Sequence, residues 1–127
     1  MKKIIYTENA PSPIGPYSQA VLAKGEFLFI SGQIALKPNG DLCVNEIIEQ
    51  TTQSLENLKA ILYAAGLNLT NVVKTTVLLK NFGDFNQMNE IYSQYFSDAK
   101  PARTTFEAVN LPKNVLVEID AIAVKED

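Results

Sequence analysis

The stretch Val115-Leu-Val-Glu-Ile-Asp-Ala-Ile-Ala-Val124 carries the fold in its alternation. Side chains of a strand point alternately to opposite faces, so the odd positions Val115, Val117, Ile119, Ala121 and Ala123 form one apolar face that must be buried. The even positions Leu116, Glu118, Asp120, Ile122 and Val124 set two carboxylates among apolar neighbours. A carboxylate so placed is costly unless a partner cation is nearby. The segment just upstream, Pro101-Ala-Arg-Thr-Thr-Phe-Glu107, also reads as a strand and offers Arg103, with Thr105 on the same strand face. Arg103 is therefore the expected partner of Glu118, and an arginine fork beside a carboxylate suits a site that grips a small carboxylic acid and handles a proton.

Working back along the chain, residues 2–7 read as a strand, followed by the proline-rich turn Ala10-Pro-Ser-Pro-Ile-Gly-Pro16. Residues 17–23 and 26–33 read as two strands joined as a hairpin at Lys24-Gly25. A helix follows over about residues 45–65, with the stripe Ile47, Ile48, Leu55, Leu58, Leu62 and Ala65, and Gly66 at its C-terminal cap. Residues 71–80 form a β-branched strand. A second helix, capped by Asp84, runs to about Phe96 along the stripe Phe85, Asn89, Tyr92, Phe96. The order β-β-β-α-β-α-β-β predicts one domain over residues 1–127, with right-handed crossovers that put both helices on one face of a sheet. The other face, carrying Leu116, Ile122 and Val124, is too apolar for water and calls for other subunits.

Composition excludes several classes of function. The chain has 127 residues, no histidine, one cysteine and a net charge of −3. Without histidine there is no Ser-His-Asp triad, no Cys-His pair and no imidazole metal site. No glycine-rich phosphate loop is present. An acidic balance argues against a nucleic-acid partner, and no apolar run is long enough to span a bilayer. Cys43 has no basic neighbour, and a lone cysteine points to a cytoplasmic setting. An enzyme built from these residues works with carboxylates, hydroxyls, amides and one arginine.

Each candidate has a plainer alternative. Arg103 taken alone reads as a solvated or salt-bridged surface group, and Glu118 could equally be a structural ion-pair partner. Asn89, a polar residue on a helix stripe, must bond either a neighbouring backbone or a ligand. Ser31, followed by Gly32, has no base to make it a nucleophile and serves better as a hydrogen-bonding group. Tyr17 packs at the turn or turns its hydroxyl into a pocket.

The segments Ala10-Pro-Ser-Pro-Ile-Gly-Pro-Tyr-Ser-Gln19, Ser31-Gly-Gln-Ile34, Val73-Lys-Thr-Thr-Val77, Pro101-Ala-Arg103, Leu111-Pro-Lys113 and Val117-Glu-Ile119, in that order, closely resemble the RidA (YjgF-like) family of reactive-intermediate deaminases. The resemblance covers essentially the whole chain. It implies a chorismate-mutase-like α+β subunit, a mixed sheet with two helices on one face, assembled as a homotrimer with clefts between subunits. It also implies hydrolysis of enamines and imines such as 2-aminoacrylate and 2-aminocrotonate to 2-keto acids and ammonia. These intermediates come from pyridoxal-phosphate-dependent serine and threonine dehydratases; the deaminase itself takes no cofactor and no metal. By position, Arg103 would bind the substrate carboxylate and Glu118 would orient water, with Tyr17, Ser31, Gly32, Asn89 and Thr105 completing the pocket. Thr105 departs from the family, where cysteine is frequent. The alternative function is a non-catalytic module that senses 2-keto acids or amino acids, or binds a regulatory protein, through the same cleft.

Overall fold

The computed structural model describes residues 2–126. Six strands and two long helices follow the expected order: β1 (Lys2–Ile5), β2 (Ala20–Ala23), β3 (Glu26–Gln33), α1 (Ile47–Ala64), β4 (Val72–Leu79), α2 (Phe85–Phe96), β5 (Ala102–Glu107) and β6 (Val117–Lys125). The last four strands by position in the sheet run β3-β6-β4-β5, so the C-terminal strand lies inside the sheet, not at its edge. An interior strand needs one fully apolar face, and Val117, Ile119, Ala121 and Ala123 supply it with at most 2 % exposure. They pack against Leu55, Leu58 and Leu62 of α1 and Met88, Tyr92 and Phe96 of α2. Both helices thus cover one face of a mixed sheet, an α+β architecture. Strand β4 pairs with β5 in parallel across α2, as a helical crossover requires, and antiparallel with β6.

Helix α1 begins under Glu46, whose carboxylate accepts the Ile48 and Glu49 amides, and ends before Gly66 in the left-handed region at φ 76°. Its buried stripe differs from the expected one. Ile48 is 41 % exposed and Ala65 is exposed, whereas Gln50, Thr51 and Ser54 are buried. Gln50 earns its burial by hydrogen bonds: its side-chain carbonyl accepts the Leu116 amide and its amide donates to Val44 O. Asp84 occupies the capping position of α2, but its side chain makes no capping bond, because a single 3₁₀ turn over Phe82–Asp84 leads into the helix.

Two further expectations change. The hairpin at Lys24-Gly25 does not form: β2 pairs with β1 and β3 pairs with β6. Gly25, at φ 141°, is needed because the chain passes directly over the Lys125 carbonyl, where any Cβ would collide. The uncovered face of the sheet is also narrower than the sequence suggested. Val124 is already 2 % exposed within one chain, and Leu116 packs against the core. Ile122 remains on that face, joined by Phe27 at 52 % exposure and Phe29 at 72 %, which with Leu22 and Val73 line an apolar depression. No described helix is long and apolar enough to cross a membrane.

Candidate active site

Arg103 stands on β5 in register with Thr75 of β4, which in turn aligns with Ala121 of β6. That register fixes its side: Thr75 and Ala121 are buried beneath the helices, so Arg103 projects toward α2. There its Nη1 donates to Asn89 Oδ1 at 2.6 Å. Three rings surround the guanidinium, with centroids 4.7 Å (Tyr92), 5.2 Å (Tyr17) and 5.6 Å (Phe85) from its central carbon. Desolvation by this half-buried setting pulls the Arg103 pKa below its ordinary value, while the Tyr92 and Tyr17 hydroxyls oppose that shift. Among the described residues no carboxylate pairs with Arg103. Its charge is held by a neutral amide oxygen and aromatic faces, and so is available to an incoming anion.

Ile14, Gly15, Tyr17, Phe85, Asn89, Arg103 and Thr105 line a cavity of about 220 Å³. The proline-rich turn is tied to this spot by Ser18, whose Oγ donates to Lys100 O at 2.5 Å and whose amide donates to Pro101 O at 3.3 Å. Gly15 lets the turn close: a Cβ there would press on the Tyr17 ring at 3.3 Å. The Thr105 hydroxyl oxygen is buried with no hydrogen-bond partner among the described residues. A buried hydroxyl beside a cavity, left without a partner, is suited to a polar ligand atom.

Four of the seven residues expected at the site, Tyr17, Asn89, Arg103 and Thr105, therefore converge within one chain. Ser31, Gly32 and Glu118 do not join them. Glu118 aligns with Leu78 of β4, three positions from Thr75, so it points to the uncovered face of the sheet. The expected Arg103–Glu118 pair is not made within one chain: strand alternation puts the two on opposite faces, and Asn89 takes the place beside Arg103. Glu118 lies instead against Gly32, where any Cβ would collide with its Oε2. Ser31 is exposed near the same spot. Asp120, also on this face, accepts the Thr76 amide at 3.2 Å.

Phe85, Tyr92, Ile14 and Gly15 were not singled out as site residues from the sequence. The signal for two of them was present in the α2 stripe, since Phe85 and Tyr92 sit four before and three after Asn89 and share its face.

Known proteins share this fold and much of this sequence. Residues 7–125 match the family model described as Endoribonuclease L-PSP. A RutC family protein of Pyrococcus horikoshii is 58 % identical over 127 residues, covering 99 % of this chain and 100 % of that protein. The human 2-iminobutanoate/2-iminopropanoate deaminase is 48 % identical over 126 residues, 98 % of this chain and 91 % of that one. The solved structure of the Escherichia coli YjgF gene product, 44 % identical, superposes with a TM-score of 0.75 and covers 98 % of this chain and 99 % of its own. On sequence and fold together, the chain belongs to the YjgF/RidA family.

Proposed function

We propose that this protein is a hydrolytic deaminase of small 2-imino acids and their enamine tautomers, 2-aminoacrylate and 2-aminocrotonate among them, yielding 2-keto acids and ammonia. The observation that carries the proposal is Arg103, a half-buried guanidinium with no described carboxylate partner, facing a cavity of about 220 Å³. A monocarboxylate gains two parallel charge-assisted hydrogen bonds from such a fork and is oriented by them. The names of the human, goat and bovine relatives support the same chemistry.

In this reading the chains assemble as a homotrimer that covers the Phe27, Phe29 and Ile122 face, and a neighbouring chain brings Ser31, Gly32 and Glu118 to the Arg103 cavity. Once the enamine has become a protonated imine, water attacks its C2. Glu118 takes a proton from that water and returns it to the nitrogen, which leaves as ammonia when the carbinolamine collapses to the keto acid. Thr105 and Ser31 hydrogen-bond the substrate, Tyr17 walls it, and Asn89 holds Arg103. A pyridoxal-phosphate-dependent serine or threonine dehydratase supplies the substrate. The endoribonuclease in the family description fits these residues less well. RNA cleavage asks for a basic surface and a general base near the sugar, and this chain carries a net charge of −3 and no histidine.

A second reading is a 2-keto acid or amino acid sensor without turnover. It is favoured by one observation, that a single chain holds the anion anchor without Glu118. Ammonia release from a threonine dehydratase reaction, with and without this protein, separates the two. Acceleration is expected, with loss in Arg103→Ala and little recovery in Arg103→Lys, whose point charge lacks the planar fork. Tight 2-ketobutyrate binding with no acceleration would establish the sensor.

A further inference from the structure

Tyr92 is fully enclosed, at 0 % exposure, and does not line the cavity. Its ring is nevertheless the nearest of the three to Arg103, 4.7 Å from the guanidinium carbon. Its hydroxyl lies 2.7 Å from Thr75 Oγ1, and Thr75 is itself 0 % exposed and in register with Arg103 on the adjoining strand. Thr75 thus pins Tyr92 to the strand beside the one that carries Arg103. Core filling alone explains a buried ring at this helix position, and Phe96, 4.8 Å away ring to ring, fills the core and is not one of the three rings around the guanidinium. It does not explain a tyrosine with its hydroxyl locked to the sheet and its face against a cation.

We propose that Tyr92 is a positioning residue for Arg103: its ring forms the rear wall of the guanidinium, and its hydroxyl pair with Thr75 fixes that wall. Asn89 holds one nitrogen and Tyr92 one face, so the remaining edge is presented to the cavity in a single orientation. An arginine side chain otherwise loses considerable rotamer freedom when it binds, and ordering it beforehand removes that cost from the binding step. The inference rests on Arg103 being the carboxylate anchor of the proposed deaminase.

The test compares wild type with Tyr92→Phe, Tyr92→Leu and Phe96→Leu. Three quantities are measured on each: 2-ketobutyrate binding by calorimetry, imine hydrolysis, and the NMR relaxation order of the Arg103 side-chain Nε–H without ligand. Tyr92→Leu is expected to weaken binding by roughly tenfold or more and to disorder the Arg103 side chain. Tyr92→Phe keeps the ring and should rescue most of both. Phe96→Leu should lose comparable melting temperature yet bind as wild type does. Should Tyr92→Leu not fold, Tyr92→Met, a flexible gap-filler, carries the same expectation. Arg103 order and binding retained without the ring would overturn the proposal, as would equal binding losses in Tyr92→Leu and Phe96→Leu. If Arg103 loses order in Tyr92→Leu while wild type binds no 2-keto acid and hydrolyses no imine, Tyr92 still positions Arg103 and the anchor reading fails instead.

Discussion

Arg103 and Glu118 stand on opposite faces of one sheet, two strands apart, so no side-chain rotation brings them together within a chain. Arg103 lies beneath α2 beside Asn89, while Glu118 rests against Gly32 on the face that also exposes Phe29. A reaction that needs both must draw them from different copies of the chain. The apolar ring patch on the same face as Glu118 gives those copies a reason to associate.

This geometry predicts complementation. Chains carrying Arg103→Ala and chains carrying Glu118→Gln should each retain about a hundredth of wild-type turnover or less alone. Refolded together in equal amounts, they should recover roughly a quarter of wild-type turnover, because a cleft needs one intact residue from each of two neighbours. Absence of any recovery in mixed oligomers confirmed by native mass spectrometry would place the two residues in separate roles.

Gly32→Ala should act on Glu118 through space. Gly32 is exposed and the three atoms nearest an added methyl all belong to the Glu118 side chain, which can swing aside, so folding should survive. The displaced carboxylate should lower imine turnover by at least about tenfold, approaching the roughly hundredfold loss expected for Glu118→Gln. Binding of 2-ketobutyrate should change little in either variant, since Arg103 is untouched. Turnover at the wild-type rate in Gly32→Ala would show that the position of Glu118 is not critical.

Asn89→Asp tests whether the neutrality of Arg103's partner matters. A carboxylate in place of the amide oxygen, 2.6 Å from Nη1, would neutralise the guanidinium before any substrate arrives. Calorimetry should show 2-ketobutyrate affinity lowered by about tenfold or more, with the melting temperature equal to or above wild type. Unchanged affinity would mean that geometry, and not available charge, governs anion binding.

Tyr92 makes the fold sensitive to alkali. Burial raises its pKa from 10.0 to about 12, while Thr75 and Arg103 oppose the shift. A group whose folded pKa is raised contributes stability that is present below the unfolded value and lost as pH climbs above it. The loss therefore begins near pH 10 and reaches about 2–3 kcal/mol by pH 12. Tyr95 is shifted upward as well, by burial and by its bond to Glu56, so the comparison must be with Tyr92→Phe. Denaturant unfolding between pH 9 and 11 should show wild type losing stability faster than that variant. Parallel curves would mean that Tyr92 ionises as an exposed phenol does.

The order of elements was legible in the sequence because it rests on local periodicity. The alternation of Val117, Ile119, Ala121 and Ala123, and the Leu55-Leu58-Leu62 stripe, each reflect the geometry of a single strand or helix. Arg103, Asn89, Tyr17 and Thr105 were likewise identified as candidates: Arg103 as the cation sought for Glu118, Asn89 as an amide on a helix stripe, Tyr17 at the proline-rich turn, and all four from family resemblance. What the sequence could not determine is strand pairing, which depends on contacts between segments far apart. Lys24-Gly25 has the composition of a hairpin, yet β2 and β3 belong to different sheets, and the glycine answers to Lys125, a hundred positions away. For the same reason only the tertiary register put Arg103 and Glu118 on opposite faces: each strand fixes which of its own residues share a side, but pairing through β4 decides how the sides of β5 and β6 correspond.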